Sequence, residues 1–223
     1  MPPWTGLAVI LALIPIGLVV RRRLAVRHVL ALRGLAARMG LTYSSRGGDV
    51  HAKYECFHPM GMGRGRVSDH LICGQRGRVT WDVFDYHFVS DSGKQRVALR
   101  YAVAAATVPA TFERTTIRPE GLLDRFVASA GFDDINFESE QFNRRFHVSS
   151  RSRSFAHALL HAQAMELLLG RPARHWQLDG SVILIHEEGK FDARELEETI
   201  KLVEDFVAMI PAYLRIGAET NAR

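Results

Sequence analysis

The fold predicted from the sequence is α+β. It has a mainly antiparallel sheet formed by a strand meander, about three packed helices, and one N-terminal transmembrane helix ahead of them. Three observations carry this expectation. Residues 41–118 are β-branched and aromatic runs divided by Gly, Ser, Asp and Pro, the pattern of strands joined by tight turns. After Arg118, apolar residues recur at helical spacing in three segments. Trp4 to Val20 is a 17-residue run without a charged side chain, at the short end of what crosses a hydrocarbon core of about 30 Å.

The order of charge along this N-terminus argues against a cleaved signal peptide, which carries its positive charge before the apolar run. Here MPPWTG has no charged side chain, and Arg21, Arg22 and Arg23 follow the run. The expectation is an anchor over residues 1–20, with Trp4 at one interface and Arg21, Arg22, Arg23 and Arg27 facing lipid headgroups at the other. Positive charge on the C-terminal side predicts a single-pass protein of the inner membrane, N-terminus out and the remainder in the cytoplasm. Residues 21–40 continue as a basic juxtamembrane helix, with Leu24, His28, Ala31, Leu35 and Met39 on one face and Gly40 as its stop.

Residues 41–210 are expected to be one α+β domain, and 211–223 a C-terminal tail. LTYSS, RVSDHLICG, GRVTWDVFDYHFV, KQRVALRYAVAAATV and ATFERTTIR read as strands. GQRG reads as a hairpin turn, and Val108-Pro109 as a strand end, because proline cannot donate to a ladder. PEGLLDRFVASAG reads as a helix ended by Gly131, QFNRRFHVSS as a strand, and SFAHALLHAQAMELLLG as a helix capped by Ser152 or Ser154. HWQLDGSVILIHEEG reads as a hairpin turning at Asp179-Gly180. The last helix, DARELEETIKLVEDFVAMI, opens with a capping-box pattern, Asp192 and Glu195.

Charge excludes one function class. The net charge is +5, yet residues 1–38 hold six arginines and no acidic residue, so the rest carries +5 − 6 = −1. A nearly neutral domain lacks the basic face that displaces phosphate counterions, so no nucleic-acid partner is expected. Two cysteines, Cys56 and Cys73, exclude a disulfide-dense scaffold.

SDSGKQ, Ser90 to Gln95, lies where a phosphate-binding loop would have to be tested. A P-loop needs G-x-x-x-x-G-K-[ST] between strand and helix. Phe88 stands five before Gly93, Gln95 replaces the hydroxyl residue, and a strand follows. The stretch therefore reads as a hairpin turn with Gly93 at a positive φ. In the strand before it, Trp81, Val83, Asp85, His87 and Val89 share one face, and Asp82, Phe84, Tyr86 and Phe88 the other. With a Ser90–Gly93 turn, His87 would face Arg96, and Asp85 would lie diagonal to Arg96 and Arg100. Asp85 and His87 are the candidate catalytic pair; an ordinary ion pair across the hairpin is the simpler reading.

Cys56, His58, His70 and Cys73 have the residue types of a tetrahedral zinc site. Their C-x-H-x11-H-x2-C spacing is not a standard knuckle, and no metal or other cofactor is expected. His157 and His161 have i, i+4 spacing, but Ala158 stands where H-E-x-x-H needs Glu.

Four blocks carry a resemblance: FDYHFVSDSGKQR (84–96), TIRPEGLLDRF (116–126), GFDDINFESEQFNRRFHV (131–148) and IPAYLR (210–215). Together they resemble a group of small, membrane-anchored, uncharacterised bacterial proteins carrying a domain of unknown function, with a VFDYxYxxGSGK, RPEGL, DIDFES-x-EFNRRY pattern. The resemblance implies a shared fold and an anchored layout, and no activity, cofactor or catalytic residue. The function expected is a membrane-anchored binding or scaffold module without catalytic activity, acting by binding a protein or lipid partner, a protein foremost. The alternative is a metal-assisted hydrolase or other enzyme using Cys56/His58/His70/Cys73 or Asp85/His87.

Overall fold

The computed structural model describes residues 4–92, 95–120 and 135–215, and their side chains except those of 4–18, 91–92 and 95. Among these, six strands form one sheet in which every pair is antiparallel. In order these are β1 (Thr42–Gly48), β2 (Arg64–Arg76), β3 (Val79–Ser92), β4 (Gln95–Pro119), β5 (Phe146–Ser150) and β6 (His175–Glu188). β1 to β4 follow one another across the sheet. β5 takes the place beside the second half of β4 that β3 holds beside the first, and β6 pairs along the other side of β4.

β3 and β4 lie at the centre because both their faces are apolar. Trp81 and Val83, with Ala102, Ala104 and Ala106, belong to one buried cluster. Phe84, Tyr86 and Phe88, with Tyr101, Val103 and Ala105, belong to the other. The first face is covered by helices: the C-terminal part of α1 (Trp4–Met39), α3 (Arg153–Leu159), α4 (Ala162–Leu169) and α5 (Ala193–Met209). The alanines of β4 let α5 approach the strand closely. The second face is covered by the segment from a 3-10 helix, Val50–Tyr54, through Phe57 and Met60. Two short helices complete the chain, α2 (Glu140–Asn143) and α6 (Ala212–Arg215).

The N-terminal expectation is corrected. Side chains of 4–18 lie outside those described, and among the described residues no helix is long and apolar enough to cross a membrane. The part of α1 with described side chains, from Val19 onward, carries all six arginines of the N-terminal region, each costing about 2.5–3.5 kcal/mol at a bilayer centre. The transmembrane helix, the single-pass inner-membrane location and the integral membrane partner are therefore not supported. The orientation placing the domain in the cytoplasm rested on them and falls with them. Helix α1 is continuous to Met39 and ends as Gly40 predicts: Gly40 has φ 71°, its N–H donates to Ala37 O, and Leu41 N–H to Ala36 O, the Schellman pattern.

Two expected breaks are absent. β4 runs through Pro109, and β6 runs through Asp179-Gly180 instead of turning there. The two features lie side by side. Register shifts between Thr107 and Phe112 leave Val108–Thr111 as a bulge where Pro109 has no ladder bond to give, and Gly180, at φ 56°, pairs with Phe112. Conversely, SFAHALLHAQAMELLLG is two helices broken at Leu160-His161, with Ser152 accepting the Phe155 N–H at the start. His157 and His161 therefore do not share a helix face. The QFN of the predicted QFNRRFHVSS strand is in α2. The capping box is present: Asp192 Oδ1 accepts the Glu195 N–H, and the Glu195 carboxylate accepts the Asp192 N–H. The helix expected in 121–131 and the Gly93 turn lie outside the described residues.

Candidate functional site

The β2–β3 ladder slips by one residue between Asp69 and Ile72, opposite Asp85 and Val83. The bulge holds His70 at φ 53°, a left-handed backbone on a residue with a Cβ, which costs about 1–2 kcal/mol. The ring consequently reaches the helix-covered face. Its Nδ1 lies 2.7 Å from Tyr43 Oη, and its centroid is 5.9 Å from that of His28 on α1. Tyr43 is covered by the Arg33 guanidinium at 5.1 Å. Asp85, 6% exposed, lies beside this group, with Oδ2 3.6 Å from Lys190 Nζ.

Burial pushes the Asp85 carboxyl above its ordinary range, against the pull of Lys190, His70, Arg100 and His28. Burial, then Lys190, lowers His28, and burial raises Tyr43. The space bounded by Leu32, His70, Asp85, Phe191 and Leu196 is only about 10 Å³, one water at most.

The expected hairpin register is shifted. β3 extends to Ser92, opposite Gln95, so His87 faces Arg100 and Asp85 faces Ala102. His87 Nδ1 lies 3.8 Å from Asp69 Oδ2, both partly exposed, so the acid–imidazole neighbours on this face are Asp69 and His87 rather than Asp85 and His87. The carboxylate of Asp85 is met by a lysine from the β6–α5 connection rather than by an arginine across the hairpin.

A carboxyl with a raised folded pKa favours folding below its ordinary value of 3.8 and costs stability as pH rises through the raised value. Asp85→Asn is therefore expected to leave the thermal midpoint at pH 7.5 unchanged or raise it by a few degrees. A fall beyond about 5 °C, more than 1 kcal/mol for a chain of this size, would show that the Lys190 pair is net stabilising.

The Cys/His set does not converge. Cys56 is exposed and Cys73 half-buried, both free thiols. His70 serves the helix-covered face, whereas His58 packs on the other beside Tyr101 and His186. Among the described residues no group of three or more His, Cys, Asp or Glu side chains could hold a metal ion. Trp4 lies outside the described side chains, and Arg21, Arg22, Arg23 and Arg27 are exposed on α1.

On the face opposite the helices the fold assembles a cluster with no sequence signal. His58 and His175 flank His186, with ring centroids 5.5 and 5.1 Å away. Gln177 clamps the segment carrying His58: its Oε1 accepts the His58 N–H at 3.0 Å, and its Nε2 donates to His58 O at 2.7 Å. Tyr86 Oη donates to Met60 O at 2.7 Å, and Tyr54 Oη to Asp82 at 2.8 Å. Burial is the main cause holding His58 down at about 4, with His175 adding to it; burial also lowers His175 and drives His186 well down.

The NFESEQFNRRF block is structural. Ser139 accepts the Phe142 N–H, Asn143 bonds both the N–H and the C=O of Phe137, and Arg145 donates to the carbonyls of Leu169 and Arg171. Phe137 meets the fully buried Phe142 edge-on, and Phe146 lies tilted against it, with ring centroids 5.4 and 5.0 Å away. Asn143→Ala leaves two partly buried backbone groups unpaired at about 1–3 kcal/mol, so the urea midpoint should fall clearly. A midpoint within error of the unsubstituted chain would reject this role.

No family model matches the chain, and no curated protein matches it. A solved structure does: a crystal structure titled as the mycobacterial trehalose monomycolate transport factor A, TtfA. The TM-score is 0.62 at 14% identity, covering 81% of this chain and 92% of that one. At that identity the likeness is one of fold.

Proposed function

We propose that this chain is a non-catalytic accessory module that holds a partner protein through the free part of α1. The observation that carries this is the division of the helix. Leu32, Leu35, Ala36 and Met39 are buried, whereas Val19, Val20, Leu24, Val26 and Leu30 are each about half or more exposed, with Arg21, Arg22, Arg23 and Arg27 among them and no acidic residue from 1 to 38. Helices of globular proteins owe most of their stability to a buried face, and an exposed apolar surface of this extent marks an interaction site. The partner chemistry that fits is an apolar groove bordered by carboxylates, taking the helix by its apolar side chains and steering it by charge.

Two further observations support the reading. The space beside Asp85 is too small for a substrate, and the fold is that of a chain titled a transport factor. We also infer that the four motif blocks reflect a fold shared with the uncharacterised bacterial group they resemble.

A photo-crosslinking side chain at Leu24 should yield a discrete adduct in cells, weakened when Arg21, Arg22 and Arg23 are replaced by Glu. The same probe at Glu198, on the helix α5 that packs against the other, buried end of α1, should give none. Equal adducts from both positions, or none from Leu24, would reject the reading.

A further inference from the structure

A cleft of about 470 Å³ opens where the β2–β3 turn, the bulge of β4 and the end of α5 meet. Its buried lining is apolar: Val79, Ala110 and Ile210, each 5% exposed or less. Pro109, Val207 and Ala208 also line it. The size is that of a small-molecule pocket, and neither the α1 surface nor the Asp85 site takes part in it.

All its charge is carried by four residues. Arg76, Arg78 and Arg215 against Glu204 give 3 − 1 = +2. Two of these guanidinium groups are held in place by their own bonds. Arg76 Nε donates to Glu204 Oε1 at 2.6 Å, and Arg215 donates to the carbonyls of Val207, Ala208 and Ile210 at the end of α5. An apolar cavity with more guanidinium than carboxylate groups in its lining favours an apolar body with an anionic end.

We propose that this cleft binds a single-chain amphiphile with an anionic head, a long-chain carboxylate being the simplest member. The tail lies along Val79, Pro109, Ala110 and Val207, and the carboxylate meets the guanidinium groups.

The test is calorimetric titration of the full chain with dodecanoate below its micellar concentration. Saturable binding of one equivalent is expected. Ala208→Trp places an indole at the exposed mouth, on a residue whose side chain is not part of the buried core, and should weaken binding by about tenfold or more, a loss of about 1.4 kcal/mol. Arg78→Glu provides an independent check: dodecanoate should weaken by a similar factor, while dodecanol should change by no more than about twofold. No saturable binding, or binding unchanged by Ala208→Trp, overturns the proposal. Equal weakening of acid and alcohol by Arg78→Glu overturns the anionic head. A dimer that Ala208→Trp dissociates would give the cleft to a second copy of the chain and overturn it as well.

Discussion

Lowering the pH from 7.5 to 5 is expected to reduce the urea midpoint of this protein steeply, through His58, His175 and His186. Each has a folded pKa below the ordinary value of 6.5, with burial the leading cause. The unfolded chain therefore takes up protons that the folded chain refuses. Stability is full above about 6.5 and is lost as pH falls from there toward the folded values, about 4 for His58. One histidine contributes at most about 1.4 kcal/mol per pH unit inside that window; His58 and His175, partly exposed, contribute less. Arg118 stands near His175 and adds to its shift. Burial also lowers His28 and His51, which act in the same direction. Asp85 and Glu187, raised by burial, act in the opposite direction. The cluster is isolated by His186→Leu, which removes one of the refused protons while keeping the buried volume. Its urea midpoint should depend less on pH. A midpoint flat from pH 7.5 to 5, or a pH slope untouched by His186→Leu, would sink this account.

The cluster also shows what a one-dimensional reading can reach. Features set by neighbouring residues are legible: the capping box of Asp192 and Glu195, the Gly40 stop, and the two apolar faces of β3. Features set by a neighbour distant in sequence are not. Pro109 and Asp179-Gly180 each carry a local breaking signal, yet they meet across one irregular stretch of the β4–β6 ladder, and each tolerates the other's irregularity. The His70 bulge is hidden for the same reason. It breaks the side-chain alternation expected of RVSDHLICG and so brings His70 to Tyr43 and His28. The missed members of both polar groups, His28, Tyr43 and Lys190 on one face and His175 and His186 on the other, have no spacing to read. Their juxtaposition depends on helix α1, the β6–α5 connection and β6 closing on the sheet. The charge asymmetry of the first 38 residues is plain in the sequence. What it cannot say is which arginines remain uncovered once Leu32, Leu35 and Met39 have packed.

Gly63→Ala is expected to be among the most damaging single-methyl changes in the chain, and it tests the same covering segment from its other end. Gly63 joins that segment to β2 at φ 68°. A Cβ there would lie 2.2 Å from Phe88 Cδ2 and 2.6 Å from Val89 O. Phe88 is 2% exposed and stacks on Tyr101, so its ring cannot swing away without opening the cluster that also holds Met60 and Tyr86. Two costs add: about 1–2 kcal/mol for the left-handed backbone and about 1–3 kcal/mol for overpacking a filled core. Against a total stability of about 5–15 kcal/mol, the thermal midpoint should fall by about 10 °C. Gly65 supplies the control. It has nearly the same backbone, φ 63°, with nothing within 4 Å of the added Cβ. Gly65→Ala should therefore lose the backbone term alone, about a third to a half as much. Equal losses from the two substitutions would mean that Phe88 yields easily, and that the segment from Val50 to Met62 is held by its hydrogen bonds to Gln177, Tyr86 and Asp82 rather than by close packing on β3.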